Sequence, residues 1–242
     1  MKTIDPQSFV PLYHQLKELL KEKIESGEWS AGYKIPSENE LRQEFQISRN
    51  TVKKAIEDLV QDGLLNRIQG KGTFVSKPKL EQSLTAFYSF SKVLQDKGMN
   101  PKDRIISIKE RMPTASVAKQ LNLQEKQKVI ELRRLRCAND EPMILETSFI
   151  PKSIVTSLSE DDLKKQSLYD IMEMKFGVVV MKAKEIFEPV LIRDYESYYL
   201  EVKEGSPALL LDRIAYNSEG IPVEFCRSIV RGDRCRFYTE LI

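Results

Sequence analysis

The stretch from Ile35 to Val75, IPSENELRQEFQISRNTVKKAIEDLVQDGLLNRIQGKGTFV, constrains this chain more than any other. Ser37 follows Pro36 and Glu40 stands three residues on, a capping box that satisfies amides otherwise orphaned at a helix start. Leu41 and Phe45 then lie one turn apart on the buried side of that helix. Ser48 caps a second helix, in which Val52, Ala55, Ile56 and Leu59 recur at helical spacing and so face a core. Gly63 ends it. Leu64 to Arg67 and Thr73 to Ser76 read as two strands joined by Gln69-Gly70-Lys71-Gly72, where glycine permits positive φ and close backbone approach. Helix, tight turn, helix and hairpin is the order of a winged helix-turn-helix.

With the apolar stripe buried, Arg49, Asn50, Lys53 and Lys54 face outward from the second helix. Arginine grips guanine as a fork, asparagine does the same for adenine, and Ser48, Thr51 and the lysines reach phosphates. Lys71 at the hairpin tip suits a wing lying on a minor groove. A helix pair and hairpin that only packs on a partner is the alternative, and the wing weighs against it. Net charge, +2, says little, and residues 1–76 hold eleven basic and eleven acidic side chains. Placement says more: Arg49, Lys53 and Lys54, and then Arg67, Lys71, Lys77 and Lys79, are interrupted by no acid within 48–56 and 67–79. So modest a total charge implies that tight binding needs two copies of the domain.

The run PLYHQLKELLKEKIESGEWSAGYKIPSENELRQEFQISRNTVKKAIEDLVQDGLLNRIQGKGTFV resembles the DNA-binding domain of the GntR family of bacterial regulators. The resemblance implies operator contacts from Ser48, Arg49, Asn50, Thr51 and Lys53 and from the wing at Gly70 to Gly72; Ser37, Lys54 and Lys71 complete the candidate DNA-binding set. Many relatives carry arginine where Lys53 stands, and lysine meets phosphate as a point charge rather than a fork.

At 242 residues, 41% hydrophobic and 31% charged, the chain has room for two domains. No apolar run approaches membrane-spanning length and the N-terminus lacks a signal-peptide core, so a cytoplasmic protein is expected. Cys137, Cys226 and Cys235 are odd in number and widely spaced, which argues against a disulfide framework or a zinc site. His14 is the only histidine and sits on an amphipathic helix from Pro11 to Glu25, far from any ligand set. Trp29 and Tyr33 read as core anchors. No metal or cofactor is expected.

The expected domains are 1–76, a linker at 77–83, and 84–242. In the second, strands are expected near 104–111, 128–137, 143–150, 178–189, 207–216 and 222–231, and helices near 115–121, 160–164, 168–175 and 194–200. Hairpin signals at Ala138-Asn139-Asp140-Glu141 and Asn217-Ser218-Glu219-Gly220 make the sheet mainly antiparallel, with helices packed on it, an α+β class. Arg136 to Glu146 and Arg213 to Glu224 echo each other, which suggests two similar halves and a pocket between them. Alternation places Arg134 and Arg136 with Ile130 and Leu132, Glu146 with Ile144 and Ser148, and Glu224 with Cys226. Such charges pair with each other, lie exposed, or await a charged, hydroxylated ligand.

From about Leu84 the chain is similar to the UTRA effector-binding domain of the HutC branch of that family, in the blocks LRRLRCANDEPMILETSFIP, SLYDIM, GSPALLLDRIAYNSEGIPVEF and RSIVRGDRCRF. That domain resembles chorismate lyase in fold but is a binding module, and many members respond to phosphorylated sugars. The resemblance implies that Ser89, Phe90, Ser91, Arg134, Arg136, Ser167 and Tyr169 hold an anionic group while Glu146 and Glu224 bind hydroxyls. Val230 before Arg231 and Cys235 after Arg234 depart from the aromatic residues that sugar-phosphate binders often show there. The expectation is a homodimeric repressor binding double-stranded operator DNA under control of a small anionic metabolite, not an enzyme. The alternative is a chorismate-lyase-like enzyme fused to a DNA-binding domain, with Glu146 and Glu224 as acid and base.

Overall fold

The structure, a computed structural model, describes residues 4–68, 70–77, 79–84 and 90–241. Two compact units divide the chain, Met1–Lys79 and Leu80–Ile242.

The first unit contains α1 (Leu12–Glu25), α2 (Glu38–Phe45), α3 (Arg49–Gln61), β1 (Leu65–Ile68) and β2 (Gly72–Val75). Ser37 Oγ accepts from the Glu40 amide while the Glu40 carboxylate accepts from Ser37 N–H, so the capping box forms. Gln46 closes α2 in the left-handed region at φ 52°. Ser48 Oγ then accepts from the Thr51 amide to start α3. Leu16 and Leu20, Leu41, and Val52, Ala55, Ile56 and Leu59 bury together with Trp29, Ile35, Leu65 and Val75. The wing is antiparallel, from Leu65 opposite Val75 to Ile68 opposite Gly72, and Lys34 bridges to Phe74 beside it. Tyr33 is not a core anchor: its ring stacks on buried Trp29 at 5.7 Å and stays 43% exposed. Its carbonyl accepts from Val75 N–H, which ties the backbone to the wing and leaves the ring outside.

The second unit runs β3 (Leu80–Ser83), α4 (Phe90–Asp96), β4 (Pro101–Arg111), α5 (Ala115–Gln120), β5 (Val129–Ala138), β6 (Glu141–Pro151), α6 (Glu160–Lys165), α7 (Leu168–Phe176), β7 (Lys182–Leu191), α8 (Asp194–Leu200), β8 (Pro207–Tyr216), β9 (Pro222–Arg231) and β10 (Cys235–Tyr238). Six strands form one antiparallel sheet in the order β4-β5-β6-β9-β8-β7. Its halves repeat one order, β4-α5-β5-β6 and β7-α8-β8-β9, and meet where β6 pairs with β9. The weak echo between the two hairpins therefore has a structural counterpart. Asn139 and Asp140 take φ 49° and 68° at the β5–β6 turn, the left-handed pair that a two-residue hairpin needs.

One face of the sheet is covered by α5 and α8, through clusters that join Val129 and Phe225 to Val117, and Leu135 and Leu145 to Leu200. On the other face, α7 covers Ile130, Leu132 and Ile150 through Leu168 and Met172, and α4 covers Ile144 and Val230 through Phe90 and Leu94. Between those two apolar clusters this face carries charge. The stretch expected as linker differs from expectation: Leu80–Ser83 is a strand, paired in parallel with Cys235–Tyr238. Its partner lies at the far end of the chain and only two of its four residues face inward, so no local period betrays it.

Candidate effector pocket and nucleic-acid interface

Burial of one side of α3 decides what its other side offers. Arg49, Asn50, Lys53 and Lys54 are exposed. The Arg49 side chain is 72% exposed and held only loosely, its Nε 3.9 Å from Glu38, which also accepts from Arg67 at 2.7 Å. Lys53 lies 3.7 Å from Glu57, and Lys54 sits 3.9 Å above the ring of Tyr13 on α1. The Ser48 and Thr51 hydroxyls are 2.8 Å apart, and the Ser37 and Thr51 amides donate to Glu40 and to Ser48 Oγ, so these three residues are engaged in the caps that start α2 and α3. In the wing, Gly70 and Gly72 take φ 74° and 123°, and Lys71 is exposed at the tip. A Cβ at Gly72 would lie 2.8 Å from Lys34 Cε, the far end of a side chain that can swing aside, so it is the positive φ that favours glycine there.

The charged patch of the second unit is built by alternation on β5, β6, β8 and β9. Arg134 Nε donates to Glu146 Oε1 at 2.5 Å, and Arg134 Nη1 to Asp103 Oδ2 at 3.1 Å. Arg136 reaches the same two carboxylates at longer range, Asp103 at 3.3 Å and Glu146 at 3.5 Å. Its Nη2 donates to Ser91 Oγ at 3.1 Å, and its guanidinium lies 4.9 Å above the Phe90 ring. Tyr169 OH donates to Glu224 Oε2 at 2.5 Å, and Arg213 Nε to Glu185 Oε1 at 2.6 Å. Of the three readings open from the alternation, mutual pairing is realised. Burial alone would push the Glu146 carboxyl up; the adjacent Arg134 and Arg136 charges outweigh it and hold it at about 2. Burial first, then Glu224, pushes the Tyr169 phenol well up, so it is a neutral donor.

These groups meet at one cleft that opens to solvent and has a cavity volume of about 50 Å³. Phe90, Arg134, Arg136, Glu146, Ser167, Tyr169 and Glu224 all border it, as does the first turn of α7, whose cap is Ser167. Ser91 stands behind Arg136, and Ser89 lies outside the described residues. Unanticipated are Asp103, which braces both arginines from β4, and Gln82, Arg213, Ser228 and Phe237 in the lining. Arg213 opens the second of the two echoing hairpins, a signal that was present in the sequence; Gln82 had none, because its strand read as linker. Val230 and Cys235 are buried in the apolar cluster with Phe90 and do not border the cleft.

Forked donors, acceptor carboxylates and a helix start suit the binding of an anionic, hydroxylated molecule. Turnover has less to work with. The Cys226 thiol at the cleft wall is pushed well up by burial, then by Glu146 and Glu224, and so is no nucleophile. Among the described residues no group of His, Cys, Asp and Glu could hold a metal ion.

The UTRA domain model matches residues 96–236, and the model described as bacterial regulatory proteins, gntR family, matches residues 12–75. The chain is 38% identical over 234 residues to the HTH-type transcriptional repressor NagR of Bacillus subtilis, covering 97% of this chain and 96% of that protein. It belongs to the GntR family. Its second unit is a UTRA domain, and the assignment to the HutC branch agrees with 28% identity to the histidine utilization repressor of Pseudomonas putida, over 93% of this chain and 90% of that one. The crystal structure of PhnF from Mycobacterium smegmatis shares the fold, with a TM-score of 0.62 at 23% identity over 95% of this chain and 98% of that one. As a GntR-family protein the chain is a DNA-binding transcription regulator of the effector-controlled kind and not an enzyme. No helix among the described residues is long and apolar enough to cross a membrane.

Proposed function

We propose that this GntR-family regulator is a homodimeric repressor acting in the cytoplasm, whose grip on a near-palindromic operator is altered by a phosphorylated sugar or a closely similar anionic metabolite. Operator contacts come from Arg49, Asn50 and Lys53 on α3, with Lys54 and the caps at Ser37, Ser48 and Thr51 beside them, and from Gly70 to Gly72 in the wing. The observation that carries the effector reading is the concentration of Arg134, Arg136 and Arg213 with Glu146 and Glu224 around one cleft, beside the start of α7. The arginines meet the anion and the carboxylates accept from hydroxyls, with Phe90, Ser91 and Tyr169 supporting them; Ser89 belongs to the same proposal. Two-fold pairing fits a reading head whose net charge is too small for tight binding by one copy.

The test is a thermal-shift screen of sugar phosphates and other anionic metabolites on the full-length protein, since ligand at a hundred times its dissociation constant adds about 2.7 kcal/mol of stability. A hit recovered chemically unchanged supports a sensor. Stabilisation by neutral sugars alone would remove the arginines from the assignment. Sedimentation of the full-length protein at micromolar concentration tests the dimer, and a monomer would contradict it.

A further inference from the structure

Gln82 stands in the cleft with an unmet requirement. It is 4% exposed, it lines the cleft, and its Nε2 has no hydrogen-bond partner among the described residues. Its place is fixed by β3, where Leu80 and Gln82 are buried, Glu81 is exposed and Ser83 is half-buried. Gln82 is in register with Phe237 of β10, whose side chain also borders the cleft, and Glu81 is held to Arg236 across the same ladder at 3.5 Å. A buried amide donor without an acceptor costs free energy comparable to a lost hydrogen bond, so folded chains rarely keep one without use. The neighbouring polar groups already have partners: Arg134 and Arg136 on Glu146, and Tyr169 on Glu224.

We infer that Gln82 is a further effector-binding residue, whose amide donates to a hydroxyl, ring or phosphate oxygen of the bound molecule. The inference rests on reading the cleft as the effector site. It adds a neutral donor to a set in which the carboxylates accept from hydroxyls, so both ends of a hydroxyl's hydrogen-bonding capacity are met. The placement also matters. β3 begins at Leu80, the first residue of the second unit, directly after Lys79 ends the first. An effector held by Gln82 therefore grips the strand that continues from the DNA-binding unit.

The experiment compares full-length wild type with Gln82→Met, which keeps the volume and removes the amide. Melting without ligand is measured first, and calorimetry with D-glucose 6-phosphate second. The expected result is an unchanged or higher melting temperature for the variant, because an unpaired buried amide is removed, with affinity for the sugar phosphate weakened roughly tenfold. Equal affinity in both proteins would overturn the role of Gln82 and leave the effector reading of the cleft standing. If wild type does not bind glucose 6-phosphate, that failure falls on the sugar-phosphate reading, and melting alone decides Gln82. A variant that melts several degrees lower would show the amide to be structural and overturn the inference; one that melts at or above wild type supports an open donor.

Discussion

The proposed reading head and the proposed effector pocket both carry arginine, and they hold it in opposite ways. Arg49 is mostly in water, 3.9 Å from its nearest acid and free to be recruited by a base edge. Arg134 is buried, locked between Glu146 at 2.5 Å and Asp103 at 3.1 Å. An exposed charge loses little on leaving so loose a partner, and salt screens what it gains. A buried charge must be paired at all times, so a ligand that engages it has to take over from, or join, a carboxylate already there. On the proposed reading, adaptable contact with DNA and selective sensing of a small molecule follow from where the same side chain is placed.

Stability tests this contrast most strongly. Glu146→Ala strands Arg134 and Arg136 and is expected to destabilise the protein by about 3–5 kcal/mol. Glu38→Ala, which removes the partner of Arg49 and Arg67, is expected to cost less than about 1 kcal/mol. Urea unfolding of both variants measures the difference, and comparable losses would break the comparison. The same carboxylate sets an acid limit. Glu146 is held at about 2, below its ordinary value of 4.5. The folded form therefore binds its proton more weakly than the unfolded form, and the stabilisation is complete above pH 4.5 and lost as pH falls toward 2. Melting between pH 5 and 2 is expected to fall more for wild type than for Glu146→Gln.

Next in size are the effects on DNA binding. Arg49→Ala is expected to weaken operator binding by about 1–3 kcal/mol and to relax preference at one base pair per half-site, with no change in melting. An equal loss on unrelated DNA would mark Arg49 as a phosphate contact. Lys71→Ala is expected to weaken binding on all sequences and to reduce the slope of log affinity against log salt by about one. An unchanged slope would take the wing lysine off the DNA.

Much of this was legible in the sequence, for reasons that differ by region. The capping residues Ser37, Glu40 and Ser48 and the stripe from Val52 to Leu59 act within a few residues of each other, so local pattern specifies α2 and α3. Alternation likewise showed that Arg134, Arg136, Glu146 and Glu224 share apolar faces. Which carboxylate meets which arginine was not legible, because Asp103 reaches Arg134 across 31 residues and Tyr169 reaches Glu224 across 55. β3 was hidden for the same reason, since its partner β10 lies at the other end of the chain, and Gln82 was hidden with it. Tyr33 misled because an aromatic beside a glycine turn suits either a core or a surface, and its exposure on the outer side of Trp29 decided between them.

The most direct measurement of the central claim, that the buried arginines sense and the exposed ones read, is the operator affinity of Arg136→Ala with and without a sugar phosphate that stabilises wild type. Arg134 still pairs with both Glu146 and Asp103 in this variant, so the fold is expected to persist, with melting as the control. Operator affinity without ligand is expected to stay within about 0.5 kcal/mol of wild type, because Arg136 and the proposed reading head belong to separate units. The response to ligand is expected to vanish, at a cost of about 2–5 kcal/mol in ligand affinity. A folded variant that still responds to the sugar phosphate as wild type does would contradict the account.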